Sequence, residues 1–560
     1  MTESKAKKQN FMHGAAILTV GVIIMKLLGA VYKIPLGNIL GDYGYGIFLA
    51  TYNVYNIFFT LSTAGLPVAL SRLIAEADAN GRVRQEEKTF RTAIGTFAVI
   101  GTAFSLILFF GNGWLAAGYL HKPEAALSVR AMAPAILLVC LVSAYRGYCQ
   151  GNGNMIPTTV DEVLEVLFKV ISGLILAYTI VHLGGELPEA SAGAILGVSI
   201  GSVVSLGYMI CYKRKNYASL AAAYTAGVRD PNDVPEDDDL VDSTGKIVRD
   251  ILRIGIPISL GASIMAILSS LDPNIYQSRL EAAGYSAYEA GVLYGVCAKM
   301  QTLFNLPAAF MTPLTVAIVP AIAGALARGN RTEARKTSED ALRIAAVISM
   351  PMGIGLCVLA YPIVQVLYPN SNAAGPGLLH IMGIGSIFVC MVLMENAILQ
   401  ASGKERLAMY ALITGSLVKI GVNWILIAIP EINIYGAPVG TMTGYFTMAA
   451  LDYLFIRKAL RQDMHLLRSL GRPLLCSLAM GAAAYGVYAL AGHVLGSGKL
   501  AMLASMAGGM AAAVAVYLVT VIRLRAITTE DMKLIPGGEK LARLLHMRSA
   551  GEKGGSHAAG

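Results

Sequence analysis

The chain has 560 residues, of which 55% are apolar and only 14% charged, with a mean hydropathy of +0.60. That balance lies well outside the range of a water-soluble domain and leaves a membrane-embedded protein as the only class that fits. The net charge of +9 at pH 7 takes its meaning from where the cations fall along the chain.

A hydrocarbon core about 30 Å thick takes roughly 20 apolar residues per helix. On that ruler the sequence predicts fourteen spans, at 12–39, 44–72, 91–118, 127–150, 157–182, 191–212, 248–271, 288–323, 341–368, 377–402, 405–429, 434–456, 470–495 and 499–522. Runs such as Ala341–Pro369 lack the alternation of a membrane β-barrel strand, so the spans are read as helices. Lys5, Lys7 and Lys8 precede the first apolar segment, as in a signal peptide. That segment is too long for one, carries Lys26 and Lys33, and lacks a small-residue cleavage site. An uncleaved first helix is expected.

The chain repeats itself. Leu167-Phe168-Lys169-Val170-Ile171 returns as Leu417-Val418-Lys419-Ile420-Gly421, and the same offset of 250 carries Gln150 and Gly153 onto Gln400 and Gly403. Gly193, Gly197 and Gly201 return as Gly436, Gly440 and Gly444 at an offset of 243. These small-residue stripes are read as close-packing helix faces. Six helices per copy, an even number, give both copies one orientation, hence two parallel bundles related by an axis along the membrane normal. The expected domains are a six-helix bundle over 1–212, a linker over 213–246, a second six-helix bundle over 247–460, an extra helix pair over 461–522 and a tail over 523–560. The linker holds the acidic run Arg229–Asp239 with two prolines and is read as a solvated tether. The extra pair is rich in Gly, Ala and Met, which suits either peripheral packing or a groove for a lipid tail. The basic tail suits an anionic inner leaflet.

Thirty-five Lys and Arg fall in the tails and the even-numbered loops, while the opposite loops hold Lys122, Arg130, Arg279 and Lys499. By the positive-inside rule this is a multi-pass protein of the cell membrane with both termini cytoplasmic, and no nucleic-acid partner is needed. The seven cysteines show no CxxC or Cys/His spacing, so neither disulfide nor metal is expected.

Five lysines lie inside spans: Lys26, Lys33, Lys169, Lys299 and Lys419. An ionisable group there costs on the order of 3 kcal/mol on insertion scales and needs a compensating role. Lys26 and Lys33 are seven residues apart and share a helix face. Asp161, Glu165 and Lys169 follow at intervals of four, so Glu165 and Lys169 are placed to pair. Lys419 has Ser416 and Asn423 on its face and no acid within a turn, so an acid from another helix, water or an anionic ligand is expected to meet it. Asp272, ahead of Pro273, marks an expected kink or break. Glu395 lies deep in its span, whereas Asp452 is expected to be solvated near a span end. Any of these acids is a candidate for Na⁺ or H⁺, and no other cofactor is called for. No nucleotide-binding, nucleophile-elbow or metalloprotease pattern occurs, and no soluble segment could house an ATPase, so the protein is read as a transporter and not an enzyme. Five cations against few acids predict a cavity that favours an anion, and a lipid phosphate or diphosphate suits a cleft between membrane bundles.

Lys26-Leu27-Leu28-Gly29-Ala30-Val31-Tyr32-Lys33 resembles the basic-x-Leu-Gly motif that opens MurJ-type lipid II flippases. Gly41-Asp42-Tyr43-Gly44, Pro67-Val68-Ala69-Leu70-Ser71 and Tyr145-Arg146-Gly147-Tyr148-Cys149-Gln150-Gly151 resemble the SpoVB/YtgP branch of polysaccharide-type flippases. Both belong to the multidrug/oligosaccharidyl-lipid/polysaccharide superfamily, and the resemblance covers essentially the whole chain. It implies twelve to fourteen helices in two bundles and alternating access, with a lipid-linked sugar diphosphate taken from the inner leaflet and released to the outer. It also implies cationic cavity residues on the first, second and eighth helices. Lys26 matches the motif's first basic position, and Lys33 falls one residue beyond its second, where Tyr32 aligns. Lys299 and Arg72 match by helix only. The expected function is therefore a flippase for an undecaprenyl-diphosphate-linked sugar or peptidoglycan precursor in envelope or spore-wall assembly, with envelope synthases as partners. A cation-coupled small-molecule exporter and a non-transporting scaffold for wall synthases are the alternatives.

Overall fold

A computed structural model of the protein describes residues 11–80, 82–225, 241–460, 466–496, 498–524 and 526. The described residues are almost wholly helical and contain no strand, as the apolar runs predict. Twelve stretches are long and apolar enough to cross a membrane. Two of the fourteen sequence spans are not separate in that count. The first two run together in α1 (Phe11–Thr63), which is broken at Gly41, where φ is 64° and glycine alone pays little for the turn. Span 434–456 forms α14 (Gly436–Leu460), a 25-residue helix outside the twelve.

The helices continue as α2 (Leu66–Ala79), α3 (Val83–Phe110), α4 (Ala126–Gly151), α5 (Ile156–His182), α6 (Leu187–Thr225) and α7 (Thr244–Ala282). They are followed by α8 (Ala287–Phe304), α9 (Leu306–Ala327), α10 (Arg331–Val358), α11 (Ala360–Leu367), α12 (Gly375–Ala401) and α13 (Glu405–Leu426), then α14, α15 (Leu466–Leu495) and α16 (Lys499–Arg523). Helix α6 runs on to Thr225, into the expected linker. The acidic part of that linker, the N-terminal lysines and most of the basic tail lie outside the described residues. Helix α7 passes unbroken through Pro257 and Pro273. The break expected beside Asp272 is absent, because a membrane helix tolerates proline when neighbouring groups take up the freed carbonyl.

Contacts divide the chain into two compact units, Met1–Ser278 with Ala287–Gly295, and Arg279–Ser286 with Val296–Gly560. In the first, α5 and α6 meet along the glycine stripe. A Cβ on Gly197 would lie 2.6 Å from the Gly173 backbone, and one on Gly201 would lie 2.4 Å from the Glu165 carbonyl. Helix α7 begins the second copy of the repeat in sequence, yet it bonds within this first unit. Ser259 Oγ donates to the Leu61 carbonyl at 2.7 Å and accepts the Gly65 amide at 3.1 Å.

The second unit repeats the α5–α6 arrangement in α13 and α14. A Cβ on Gly444 would meet the Gly415 carbonyl and Lys419, and one on Gly440 would meet Asn423. Thus 165, 169 and 173 correspond to 415, 419 and 423, and 197 and 201 to 440 and 444, the offsets read from sequence. The main apolar core of this unit joins Ile318 of α9, Ala345 of α10, Met394 and Ile398 of α12 and Ile456 of α14. Helices α15 and α16 pack on each other, and Met480, Ala484 and Ala513 close a smaller core with Leu359. Many large apolar side chains, such as Ile107, Ile175, Leu417 and Leu500, are exposed, as they must be where lipid replaces water.

Candidate functional site

In the first unit, the acids of α5 pair with an arginine of α4, while the lysine one turn on takes a different partner. Arg146 of α4 is buried and reaches α5 with both ends of its guanidinium fork. Its Nε lies 2.6 Å from Asp161 Oδ2, and a terminal nitrogen lies 2.6 Å from Glu165 Oε2. Helix α6 completes the cluster, Ser205 Oγ donating to Asp161 and Ser202 Oγ to Glu165 at 3.4 Å. Asp161 and Glu165 are four residues apart, so one planar fork spans them, a geometry that lysine cannot reproduce.

This corrects the expected Glu165–Lys169 pair. Glu165 turns to Arg146, which offers a closer and charge-assisted fork, and Lys169 turns the other way. Its Nζ donates to the Tyr52 hydroxyl at 3.5 Å and stands 5.7 Å from that ring's centroid. Lys33 of α1, half-buried, lies within electrostatic range of Lys169. Neither lysine makes an ion pair with a described residue. Tyr52 belongs to an aromatic ladder along α1. Ring centroids are 6.1 Å apart for Tyr32–Phe48, 5.8 Å for Phe48–Tyr52, and 5.5 Å for both Tyr52–Tyr55 and Tyr55–Phe59. This wall beside the two lysines, and the anchoring role of Arg146, were missed in the sequence. The signal was present: Tyr45, Phe48, Tyr52, Tyr55 and Phe59 follow at intervals of three and four.

The remaining residues of interest are scattered. Lys26 is exposed on α1, and Arg72 is exposed on α2. Asp272 of α7 is buried. In the second unit Lys299 of α8 is only 2% exposed, with its Nζ 5.3 Å from the Tyr368 ring centroid. Lys419 is half-buried on α13, its stem against Gly444. Asn423, one turn on, is fully buried, and both side-chain polar atoms lack a hydrogen-bond partner. Glu395 of α12 is buried as expected. Asp452 corrects its expectation: it is 1% exposed, because α12 and α10 pack over the face of α14 that carries it. Among the described residues no group of three or more His, Cys, Asp or Glu could hold a metal ion.

A helical membrane chain with this internal repeat matches the profile of the family described as polysaccharide biosynthesis protein over residues 11–326. The chain belongs to that family. A second profile, MatE, matches residues 295–425. Stage V sporulation protein B of Bacillus subtilis (strain 168) is 24% identical over 540 residues, covering 94% of this chain and 98% of its own. Lipid II flippase MurJ of the same organism is 24% identical over 459 residues, covering 80% of this chain and 82% of its own. A solved structure of a lipid II flippase MurJ in an inward closed conformation superposes with a TM-score of 0.66 at 14% identity, covering 91% of this chain and 99% of the other. That likeness speaks for the fold. This member of the polysaccharide biosynthesis protein family is a multi-pass membrane transporter of the multidrug/oligosaccharidyl-lipid/polysaccharide superfamily.

Proposed function

We propose that this transporter flips an anionic lipid-linked sugar, an undecaprenyl-diphosphate-linked oligosaccharide or peptidoglycan precursor, from the inner to the outer leaflet by alternating access. The observation that carries the proposal is the pair Lys33 and Lys169 in the first unit, two cations in electrostatic range whose nearest sequence acid, Glu165, is held by Arg146 instead. Two like charges at membrane depth repel, and a diphosphate would offset both. The α1 aromatic ladder supplies flat apolar faces beside them, of the kind that stack on sugar rings. Lys299 and Lys419 offer further cations in the second unit, and Lys26 is exposed on the same helix as Lys33. The cation distribution supports a cell-membrane location with both termini cytoplasmic. Envelope synthases are the partners this substrate implies, and an ion gradient or the membrane potential would drive the cycle.

The MatE match and the buried acids of the second unit support one other reading, a cation-coupled exporter of small molecules. Translocation of a fluorescent polyprenyl-diphosphate sugar in reconstituted vesicles separates the two. Lys33→Met with Lys169→Met is expected to abolish it, with protein yield and melting unchanged. Full activity of the double variant would refute the anionic-lipid reading.

A further inference from the structure

The flank of the first unit carries a groove that the transport reading leaves unused. It has a volume of about 500 Å³ and lies between the N-terminal ends of α4 and α6 and the C-terminal end of α5. Its walls include Leu127 of α4, Ile180 of α5, and Ala192 and Leu196 of α6, and two charged residues stand in the lining, Arg130 of α4 and Glu189 of α6. The groove sits at the depth of lipid head groups. The Arg130 guanidinium lies 4.5 Å from the ring centroid of Phe109, in the last turn of α3, and Trp114 just beyond that helix is exposed, as interfacial tryptophans are. On the orientation proposed above, this is the outer leaflet.

A cation on that side runs against the positive-inside bias and calls for a reason. Lys122 is buried beside the rings of Tyr43 and Tyr294, and Arg279 donates to the Trp424 carbonyl at 3.0 Å. Arg130 has the face of Phe109 but makes no hydrogen bond or ion pair with a described residue, so the donors of its fork remain available. Glu189 lines the same groove without pairing to it. Its Oε2 accepts the Glu186 amide at 3.1 Å and closes the first turn of α6. The second copy of the repeat treats the same place differently. The offset of 250 carries Leu127 to Gly377 and Arg130 to His380, and the offset of 243 carries Glu189 to Ile432 and Ala192 to Tyr435. The acid is gone there, and the Tyr435 ring takes the space of the missing Gly377 side chain, since a Cβ on Gly377 would lie 2.7 Å from Tyr435 Cε1. One copy plugs the position with a resident ring. The other keeps it open between a cation and an anion.

We propose that this groove binds a zwitterionic phospholipid with a primary ammonium head, phosphatidylethanolamine. Arg130 takes the phosphate, Glu189 takes the ammonium, and an acyl chain follows Leu127, Ile180 and Leu196 into the bilayer. A guanidinium matches a phosphate with paired N–H donors, and a carboxylate accepts from an ammonium. Phosphatidylglycerol satisfies the arginine and brings no cation to Glu189. Phosphatidylcholine carries its positive charge on a quaternary nitrogen with no N–H to donate. The site shares no residue with the Lys33 and Lys169 pair and does not depend on what is transported.

The test titrates delipidated full-length protein in detergent with each of these three phospholipids, carrying the same acyl chains, and counts bound lipid by native mass spectrometry. Wild type is expected to hold one phosphatidylethanolamine more tightly than the background that all three lipids give. Arg130→Gln should weaken that binding about tenfold, the worth of a charge-assisted hydrogen bond. Glu189→Gln should weaken it about fivefold and leave phosphatidylglycerol binding unchanged, which separates loss of the ammonium contact from a loosened helix end. Leu127→Gly with Ala192→Tyr, which copies the plug of the second unit, should abolish it. A wild type that prefers none of the three head groups, or prefers phosphatidylglycerol or phosphatidylcholine, overturns the proposal. So does undiminished binding by Arg130→Gln or by the plugged variant. Because the head-group preference is read on wild type, a variant that fails to fold cannot rescue the idea.

Discussion

Replacing Arg146 with Met removes the cation that the buried Asp161 and the part-buried Glu165 share. At an effective dielectric near 20, a unit-charge pair a few ångströms apart interacts by about 4 kcal/mol. Arg146 makes two such contacts, both at 2.6 Å. Desolvation cancels much of that while the cluster is intact, but removing one partner leaves an uncompensated charge and costs about 3–5 kcal/mol. Arg146→Met should therefore lose about 3–5 kcal/mol in equilibrium unfolding followed in detergent micelles. Adding Asp161→Asn and Glu165→Gln should recover most of it, since the uncharged cluster has nothing left to neutralise. A double-mutant cycle sharpens the point: coupling between Arg146 and Glu165 should exceed about 1 kcal/mol, and that between Glu165 and Lys169 should stay below about 0.5 kcal/mol. A single variant within about 1 kcal/mol of wild type, or strong Glu165–Lys169 coupling, would refute the geometry on which the free lysine pair depends.

Other outcomes follow from the packing. Gly201→Ala places a methyl group against the Glu165 carbonyl, which is backbone and cannot swing away, so about 1–3 kcal/mol of destabilisation is expected in the same unfolding assay. Gly207→Ala on the same helix has open space and should be neutral. Ser259→Ala removes both a donor and an acceptor between α7 and the end of α1, and should cost about 1–3 kcal/mol. The Glu395→Gln/Asp452→Asn variant should melt no lower than wild type in ion-free buffer, because it removes two buried charges that no resident cation offsets.

Much of the fold was legible because two signals in the sequence are physically forced. A helix must be apolar over its whole lipid-facing length, and a duplicated unit must reuse its packing faces. The Gly197/Gly201 and Gly440/Gly444 stripes therefore meet the same register positions in both units. The site was less legible because a one-dimensional reading sees partners only along a helix. Glu165 and Lys169 satisfy the spacing rule for a pair, yet Arg146 approaches from another helix and its fork outcompetes a lysine on the same one. Asp452 fails in the same way: a position near a span end implies water unless the neighbouring helices that cover it are known.

The central claim is that Lys33 and Lys169 hold an anionic lipid head group. Native mass spectrometry of the protein purified from membranes tests it most directly. A co-bound polyprenyl diphosphate species is predicted on wild type and predicted to be lost from Lys33→Met/Lys169→Met. Its absence from wild type across gentle detergents, or its equal retention on the double variant, would contradict the account.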